Sequence, residues 1–300
     1  MLTRFKNEIP ECTAPYTAPG LKSTQALPEF YQGATADYVK VDGKWVDGMA
    51  QDNMLTALQN LQDAYTAGLI DQEAITNTTS SCRDEWYAGT VGCFPYWGGL
   101  WGETLTVRLK QNVPDSEVIA LPPIEGATYL YSAPSVQVIS SKLSDEQVAS
   151  VYKYFIEYMH DGGEGQVLFQ SGVEGVHWQQ SGNNIDPLPT ISKPAEAFRK
   201  AWITPWLALT PMTATDKNVE VSQEVTDSLA VVSANAKNIS VFPVSEQRTM
   251  ITSDLTTTRE NIISRVAMGQ LTPEEGMAEY KAQAETLNVA QALEEMNANA

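Results

Sequence analysis

The clearest pattern in the chain is a helical one over residues 53–67, where apolar side chains recur three and four positions apart. Gly68 follows directly and can adopt the left-handed backbone that ends a helix, so the pattern predicts an amphipathic helix that stops at this glycine. A different pattern precedes it, because residues 38–46 alternate between apolar and polar types around Asp42-Gly43. That alternation predicts a β-hairpin, with Trp45 on its second strand.

The rest of the chain mixes short predicted strands with helices and then continues in helices alone. Ser144 precedes a periodic run and Gly162-Gly163 follow it, so residues 145–160 are predicted as a helix. A short helix is expected to begin at Asp71, and the opening residues are expected to form a loop. Further strands are predicted over residues 90–94, 118–121 and 135–140, and further helices over residues 83–88, 195–202, 219–236, 253–268 and 273–296. This order indicates an α/β core with a helical finish.

The balance of charge limits the classes of partner. The 300 residues include 19 Lys and Arg against 37 Asp and Glu, giving a formal net charge of -18. No basic cluster interrupts this acidic background, so nucleic acid is not expected as a partner. The same field repels phosphorylated solutes and anionic lipid surfaces, so a neutral or cationic ligand is expected. No apolar stretch approaches the roughly 20 residues that span a bilayer.

Residues that carry chemistry are few. Cys12, Cys82 and Cys93 form no C-x-x-C pair, and His160 and His177 are the only histidines, so neither a metal site nor a cofactor is expected. If the protein is exported, Cys82 and Cys93 are candidates for a disulfide that leaves Cys12 unpaired, and the alternative is that they are free buried thiols. The sequence has no nucleophile elbow and no nucleotide-binding glycine loop, so the chain is not expected to be an enzyme.

Aromatic residues supply the strongest candidate site. Tyr96, Trp97 and Trp101 lie in a glycine-punctuated segment directly after the strand predicted at residues 90–94. The carboxyl end of a strand in an α/β sheet is where ligands bind, and flat rings cover the C–H face of a sugar. These residues are therefore predicted to form a stacking platform for a sugar. The alternative is that two of the rings only fill the core.

A second candidate is the segment at residues 172–178, which combines Glu174, His177 and Trp178. A carboxylate, an imidazole and an indole in one loop are suited to binding a polyol, although the same loop is also interpretable as a structural corner. Trp45 and Tyr131 complete the predicted ligand-binding set. The aromatic stripe of Phe198, Trp202 and Trp206 is instead assigned to the core, because its spacing is helical.

Several short segments resemble one known family, and they occur in the same order along almost the whole chain. They are the Asp42-Gly43-Lys44 hairpin, the helix end at residues 65–71, the turn at residues 86–89 with its strand to Trp97, Pro-Pro-Ile-Glu-Gly at residues 122–126, Gly-Val-Glu-Gly-Val-His-Trp at residues 172–178, Val-Phe-Pro at residues 241–243 and the segment at residues 280–288. In this order they resemble extracellular solute-binding protein family 1 of bacterial ABC importers, and particularly its sugar-binding lipoproteins from Gram-positive bacteria.

The resemblance implies an α/β, periplasmic-binding-protein-like fold of type II, with two lobes joined by a hinge and a helical C-terminus. It assigns residues 1–125 to lobe two, residues 126–240 to return segments of an incomplete lobe one, and residues 241–300 to C-terminal helices that pack on lobe two. It places Trp97 where the family has a sugar-stacking aromatic. The family opens with a signal peptide and a lipid-anchored cysteine, which are not found here, so the chain is expected to be N-terminally truncated.

The sequence therefore predicts a binding protein that performs no chemistry. Its expected ligand is a neutral sugar or oligosaccharide, its expected partner is an ABC permease, and the protein is expected to be an extracellular, lipid-anchored monomer. One alternative is a carbohydrate-active enzyme that uses carboxylates such as Glu125 and Glu174. Another is a fragment that binds no solute and acts as an interaction module, for which exposed apolar patches would be the sign.

Overall fold

The computed structural model describes residues 1–23, 26–131, 136–188 and 210–300. The chain divides into two compact units, and each unit is built from separate stretches of sequence. Unit 1 comprises Met1–Trp97, Leu105–Ala133 and Ala230–Ala300, and unit 2 comprises Gly98–Thr104 and Pro134–Leu229. Candidate residues therefore belong to different units, and each unit is described by itself.

Unit 1 contains most of the regular structure. Its first elements are α1 (Leu2–Glu8), β1 (Ala14–Tyr16), α2 (Pro28–Tyr31), β2 (Tyr38–Val41), β3 (Lys44–Asp47), a 3-10 turn (Gly48–Ala50), α3 (Asn53–Thr66), α4 (Thr79–Ala88) and β4 (Val91–Cys93). Two further elements are α5 (Leu100–Asn112), which begins in unit 2, and β5 (Tyr129–Tyr131).

Unit 2 has fewer elements than unit 1, and the last three helices of the chain belong to unit 1. Unit 2 contains α6 (Asp145–Val151), a π-helical turn (Tyr152–Glu157), α7 (Glu164–Ser171), β6 (Trp178–Ser181), β7 (Asn184–Pro187) and most of α8 (Gln223–Asn235). The chain ends in unit 1 with β8 (Ala236–Asn238), α9 (Glu246–Ala267), α10 (Pro273–Thr286) and α11 (Val289–Ala298).

The strands of the described residues form two-stranded sheets. In unit 1, β1 pairs in parallel with β4, β5 pairs in parallel with β8, and β2 and β3 form an antiparallel hairpin. In unit 2, β6 and β7 form a second hairpin. A parallel pair needs a long connection between its strands, and β1 and β4 are separated in the sequence by three α-helices and the β2–β3 hairpin.

One hydrophobic core organises unit 1. Helix α3 buries six of its side chains and packs against α9, while α10 and α11 cover the same core. The periodic residues Met54, Leu58 and Leu61 are fully buried, because their three- and four-residue spacing puts them on one helix face. Full burial of one such side chain stabilises a fold by about 1.5–3 kcal/mol.

A buried charged cluster lies within this core. Arg259 on α9 donates to Asp47 through Nη2 at 2.8 Å, and the Tyr280 hydroxyl donates to the other Asp47 oxygen at 2.6 Å. The guanidinium carbon also lies 5.1 Å from the centre of the Tyr38 ring. Asp47 and Arg259 are both buried, and Arg259 also contacts the exposed Asp37 through Nη1 at 3.3 Å, so the buried Asp47 charge depends on Arg259 for compensation.

Unit 2 has only small apolar clusters among its described residues. Val167, Trp178 and Ile185 form one cluster, and Leu100 packs with Val225 in another. The helix formed by α6 and the following π-helical turn buries none of its side chains. Much of the apolar surface of this unit is therefore exposed to solvent.

Most of the predicted elements are confirmed. The hairpin forms at residues 38–47 with Asp42 and Gly43 at φ angles of 48° and 81°, which are the values that its tight turn requires. Helix α3 ends before Gly68, and Ser144 caps α6 through a capping box with Gln147. The strand at residues 91–93, a helix ending at residue 88 and the helices around residues 223–235 and 246–267 are also present.

Some local predictions are wrong. Asp71 accepts the backbone N–H of Glu73 at 2.9 Å, as an N-cap does, but residues 72–76 form turns and no helix follows. Residues 118–121 have no partner strand, and Pro122-Pro123 directly after them supply no N–H groups. The predicted helix at residues 273–296 is divided into α10 and α11 by Asn288, whose φ is 57°.

Further differences concern the opening and residues 135–140. The opening is not a loop, because α1 and β1 form there. Residues 136–140 are not in a strand, and Ser135 lies outside the described residues. The helix predicted at residues 195–202 and the stripe of Phe198, Trp202 and Trp206 also lie outside them.

The disulfide interpretation is wrong. Cys82, Cys93 and Cys12 are free thiols, as the alternative interpretation has it. The Cys82 sulfur is buried in unit 1 and lies 3.5 Å from the Thr17 hydroxyl. Burial raises the pKa of both the Cys82 and the Cys93 thiol to about 11. No described helix is long and apolar enough to cross a membrane.

Candidate functional site

The carboxyl ends of the parallel strands β1 and β4 lie together in unit 1. Ala14 is in register with Val91 and Tyr16 with Cys93, and the Thr17 N–H donates to the Cys93 carbonyl at 3.2 Å. The chain leaves β4 at this point as Phe94-Pro-Tyr-Trp97. Because ligands of open α/β sheets bind beyond the carboxyl ends of strands, this corner is the candidate site.

A row of aromatic rings covers the corner. The Phe94 ring stacks on the Tyr96 ring with 4.8 Å between centroids, and the Trp86 ring from α4 lies 6.1 Å from that of Phe94. Arg83, one helical turn before Trp86, donates to the Tyr96 hydroxyl and places its guanidinium carbon 5.8 Å from the Tyr96 centroid. The row is therefore held in place from α4 as well as from the strand.

Trp97 directly follows Tyr96 in the sequence and is more exposed than the three rings of the row. Its side chain is 53% exposed, while Trp86, Phe94 and Tyr96 are half-buried. An exposed indole beside packed rings presents an apolar face that a ligand can cover without opening the core.

A buried polar cluster supports α4 beneath the row. The Thr17 hydroxyl oxygen lies 2.8 Å from Glu85 Oε2 and 3.1 Å from Asp71 Oδ2. The Asn77 amide donates to both carboxylates, at 2.5 Å to Asp71 and 3.2 Å to Glu85. These contacts join the end of β1 and the turn after α3 to α4, and so fix the helix that carries Arg83.

The two carboxylates of the cluster influence each other. Burial raises the pKa of Glu85, and the neighbouring Asp71 charge raises it further, while the hydrogen bonds from Thr17 and Asn77 oppose the rise. Glu85 therefore retains its proton to a higher pH than an ordinary glutamate does.

Trp101 does not belong to the same unit as Tyr96 and Trp97. It lies in the first turn of α5, in unit 2, where its half-buried ring packs against the pair of Leu100 and Val225. The three-residue platform therefore stays a prediction.

The loop at residues 172–178 forms a hydrogen-bonded corner in unit 2. Trp178 is buried and its indole N–H donates to the Gly172 carbonyl at 2.9 Å, while His177 Nδ1 accepts the Val173 N–H at 2.9 Å. Gly172 has a φ of 84°, and a Cβ on it would lie 2.6 Å from His177 Nδ1. Glu174 is the exposed member of the predicted group. These contacts give Trp178 and His177 structural partners inside the loop itself.

Trp45 and Tyr131, the other predicted ligand-binding residues, differ in exposure. Trp45 is buried, its ring lies 5.4 Å from that of Phe242, and its backbone N–H and carbonyl both bond the Asn297 side chain. Its ring faces are therefore covered by the core. Tyr131 is exposed at the carboxyl end of β5.

The sequence reasoning missed several residues of the candidate site. Arg83 and Trp86 lie one turn apart on α4, and Phe94 shares the two-residue alternation that also positions Tyr96. Each of these spacings places two side chains on one face of a helix or strand, so the sequence alone could have identified the pairs. The contribution of Thr17 was not readable, because it depends on the pairing of β1 with β4. Among the described residues, no group of acidic, His and Cys side chains is arranged to hold a metal ion.

Comparison with solved structures places this geometry in a known fold. The alginate-binding protein AlgQ2, solved without calcium ion, matches 99% of this chain with a TM-score of 0.66 at 15% identity, over 66% of its own chain. An HMO-binding, ABC-transporter-associated solute-binding protein from Bifidobacterium longum infantis matches 99% of this chain with a TM-score of 0.63 at 15% identity, over 67% of its own. The ABC-transporter substrate-binding protein FusA of S. pneumoniae, an EF-hand mutant in complex with fructo-nystose, matches 98% with a TM-score of 0.58 at 16% identity, over 65% of its chain.

This chain has a periplasmic-binding-protein-like fold. The α/β fold class predicted from the sequence is therefore confirmed. The chain spans about two thirds of the length of the solved structures that it matches. No protein-family model matches the sequence, and no curated protein matches it.

The similar structures do not favour the enzyme alternative, because all three are binding proteins by description. Glu125 and Glu174, the carboxylates named for that alternative, are both exposed and belong to different units.

Proposed function

We propose that this protein is the solute-binding component of an ABC importer and that its ligand is a neutral sugar or oligosaccharide. The observation that carries the proposal is the aromatic row of Trp86, Phe94 and Tyr96 at the carboxyl ends of β1 and β4, which the exposed Trp97 directly follows in the sequence. Trp97 directly follows Tyr96 in the sequence and is exposed, so its ring is accessible to a solute.

The chemistry of the row favours a sugar. Indole and phenol rings cover the C–H face of a pyranose, and the Tyr96 hydroxyl and the Arg83 guanidinium supply hydrogen-bonding groups at its rim. The formal net charge of -18 opposes anionic solutes. The similar structures are described as an alginate-binding protein, an HMO-binding solute-binding protein and a substrate-binding protein in complex with fructo-nystose, which supports a carbohydrate ligand, while the preference for a neutral one rests on the charge of this chain.

Several finer features belong to the same proposal. We assign residues 1–125 and 241–300 to one lobe and residues 126–240 to the other, which is supported by the grouping of the last helices with the first 97 residues in unit 1. The proposed protein is an extracellular, lipid-anchored monomer of solute-binding family 1 that delivers its sugar to a membrane permease. Hinge closure stays a prediction.

The test is a titration of the complete protein with a panel of neutral oligosaccharides, measured as a shift in Tm and by tryptophan fluorescence. A sugar at 100 times its Kd should add about 2.7 kcal/mol of stability. Trp97→Ala should raise the Kd by about 30-fold, equivalent to about 2 kcal/mol, because the stacking face is lost.

The matched control is Tyr154→Ala, which removes an exposed ring from unit 2 and should leave sugar binding unchanged. Tm shifts with peptides or amino acids, and none with any sugar, would overturn the sugar assignment. Equal weakening by both variants would show that Trp97 has no special role.

A further inference from the structure

Three polar side chains of unit 1 lie around one half-buried aromatic ring. The Phe242 ring lies 6.0 Å from the Tyr38 ring and 5.4 Å from the Trp45 ring, and both of these residues are on the β2–β3 hairpin. The guanidinium carbon of Arg248, in the first turn of α9, lies 5.4 Å from the centre of the same ring. Phe242 and its three neighbours all belong to unit 1.

Each of the three neighbours has a buried polar atom without a hydrogen-bond partner in the described part of the chain. Tyr38 and Trp45 are only 6% and 5% exposed, and neither the Tyr38 hydroxyl nor the Trp45 indole N–H is paired. Arg248 Nε is buried and unpaired as well. Buried polar groups are normally hydrogen-bonded, because leaving one unpaired is costly. The three atoms can all donate, so they indicate a place for a group that accepts hydrogen bonds.

The charge of Arg248 is also uncompensated. Among the described residues, no carboxylate forms an ion pair with it, and the acidic residues near Tyr38, Asp37 and Asp47, pair with Arg259 instead. Burial raises the pKa of Tyr38 to about 12, and the nearby Arg259 and Arg248 charges oppose this rise. The positive charge of Arg248 therefore acts on the Tyr38 hydroxyl. An unpaired cation beside two neutral donors favours a negatively charged acceptor.

The segment that carries Phe242 is held by few contacts of its backbone. Residues 239–244 belong to no helix or strand, and Val241 and Val244 are 79% and 80% exposed. In the described structure, the backbone of residues 240–243 makes no hydrogen bond. The Phe242 ring can therefore leave its position without breaking a sheet or a helix.

We propose that Tyr38, Trp45 and Arg248 form a binding site for a small carboxylate that carries a flat apolar ring. The ring of the ligand takes the space of the Phe242 ring. Its carboxylate accepts hydrogen bonds from the guanidinium, the indole N–H and the phenol hydroxyl. Phe242 fills the apolar part of this space but supplies no oxygen to the three donors. The site shares no residue with the aromatic row, so it goes beyond the proposed sugar binding.

The net charge of the protein does not prevent an anion from binding here. The formal charge of -18 repels anions at long range, but salt screens exposed charges that are more than about 8 Å apart at physiological ionic strength. The carboxylate is in direct contact with Arg248, where a charge-assisted hydrogen bond is roughly twice as strong as a neutral one. A carboxylate is therefore preferred over a neutral ring of the same size.

The experiment titrates the 300-residue chain with benzoate and, in parallel, with benzamide, which has nearly the same shape and no charge. It records the Tm and the NMR signal of the Trp45 indole N–H, which is identified by its absence in Trp45→Phe. Benzoate should raise the Tm and shift this signal. It should bind about tenfold more tightly than benzamide or better, because only benzoate forms an ion pair with Arg248.

Two positions test the roles given to the side chains. Arg248→Gln should weaken benzoate binding by about tenfold or more and remove the preference over benzamide, while sugar titrations stay unchanged. Phe242→Ala should strengthen benzoate binding by about tenfold, because the protein's own ring no longer competes for the space. Phe242→Leu keeps more of the packing and should act in the same direction. Arg265→Gln on the same helix is the matched control, because Arg265 pairs with Glu279.

Several results would overturn the proposal. They are equal binding of benzoate and benzamide, unchanged benzoate binding in Arg248→Gln, and weaker benzoate binding in both Phe242 variants. A Trp45 indole signal that benzoate does not move, although the Tm rises, would show that the anion binds elsewhere. An indole N–H that exchanges slowly in the free protein and does not respond to benzoate would show that an internal water is its partner.

Discussion

Helices α3 and α6 show how differently the two units use similar sequence patterns. Both are predicted from the sequence, α3 from apolar residues at helical spacing and α6 from its N-cap and glycine stop, and both form. α3 buries six side chains in the core of unit 1, whereas α6 and its π-helical continuation bury none. The local sequence therefore determines that a helix forms and which of its faces is apolar. Whether that face stabilises the fold depends on whether other elements bury it.

The same contrast extends to the charged and polar groups. In unit 1, Arg259 and Asp47 are paired inside the core and Glu85 is held among buried hydrogen-bonding groups. In unit 2, Asp161 accepts three backbone N–H groups from an exposed position. We therefore expect substitutions in unit 1 to lower the free energy of unfolding more than matched substitutions in unit 2.

The largest expected effect is from Arg259→Met. It leaves Asp47 buried with an uncompensated charge and should lower the free energy of unfolding by about 3–5 kcal/mol. Arg265→Met is the control on the same helix, because the Arg265–Glu279 pair is partly exposed and should contribute about 0–1 kcal/mol. Urea denaturation of both variants checks the difference, and similar losses would contradict the assignment of a buried pair.

A second comparison uses one leucine from each unit. Leu61→Ala opens a cavity in the core of unit 1 and should lower the free energy of unfolding by about 2–5 kcal/mol. Leu168→Ala, on an exposed position of α7, should change stability by less than about 0.5 kcal/mol. Denaturation midpoints test this pair. A large loss from Leu168→Ala would mean that the exposed surface of unit 2 is already covered in solution.

A smaller effect is expected from Asp161→Ala. The Asp161 carboxylate accepts the N–H groups of Gly163, Gly165 and Gln166 at the start of α7, so its loss should cost about 0.5–1 kcal/mol. Slight burial acts to raise the pKa of Asp161, but these three hydrogen bonds together lower it below the ordinary 3.8. The stabilisation is therefore present above pH 3.8 and is lost as the pH falls through the lowered pKa.

Hydrogen exchange of the α7 amides across this pH range measures the Asp161 effect. Asp161→Asn keeps one acceptor oxygen and should retain part of the protection. Protection in the wild-type protein that does not change on acidification would contradict the role given to the carboxylate.

The smallest expected effect is a change of pH dependence in Glu85→Gln. Because the pKa of Glu85 is raised above the ordinary 4.5, the folded state binds more protons than the unfolded state between these values. Glu85 therefore makes the wild-type protein lose stability as the pH rises through this window. Glutamine resembles the protonated acid, so the variant should lack that slope.

Unfolding free energies measured from pH 4 upward, at about half-unit steps, test the Glu85 slope. Glu117→Gln alters an exposed carboxylate of the same unit and serves as the control. The same slope in wild type and Glu85→Gln would show that the cluster does not hold a shifted glutamate.

The sequence by itself determined the features that depend on neighbours a few residues away. The Asp42-Gly43 turn and the N-cap at Ser144 follow from local backbone preferences, and both form as predicted. The aromatic segment was found for the same reason, since Tyr96 and Trp97 directly follow a readable strand.

The tertiary structure alone decided which side chains face solvent and which distant groups meet. Arg259 meets Asp47 across 212 positions, and Trp45 is covered by Phe242 and tied to Asn297. Such contacts depend on packing whole elements together, and no local spacing encodes them. The exposure of Trp97 was decided in the same way, by which surfaces the rest of the chain covers.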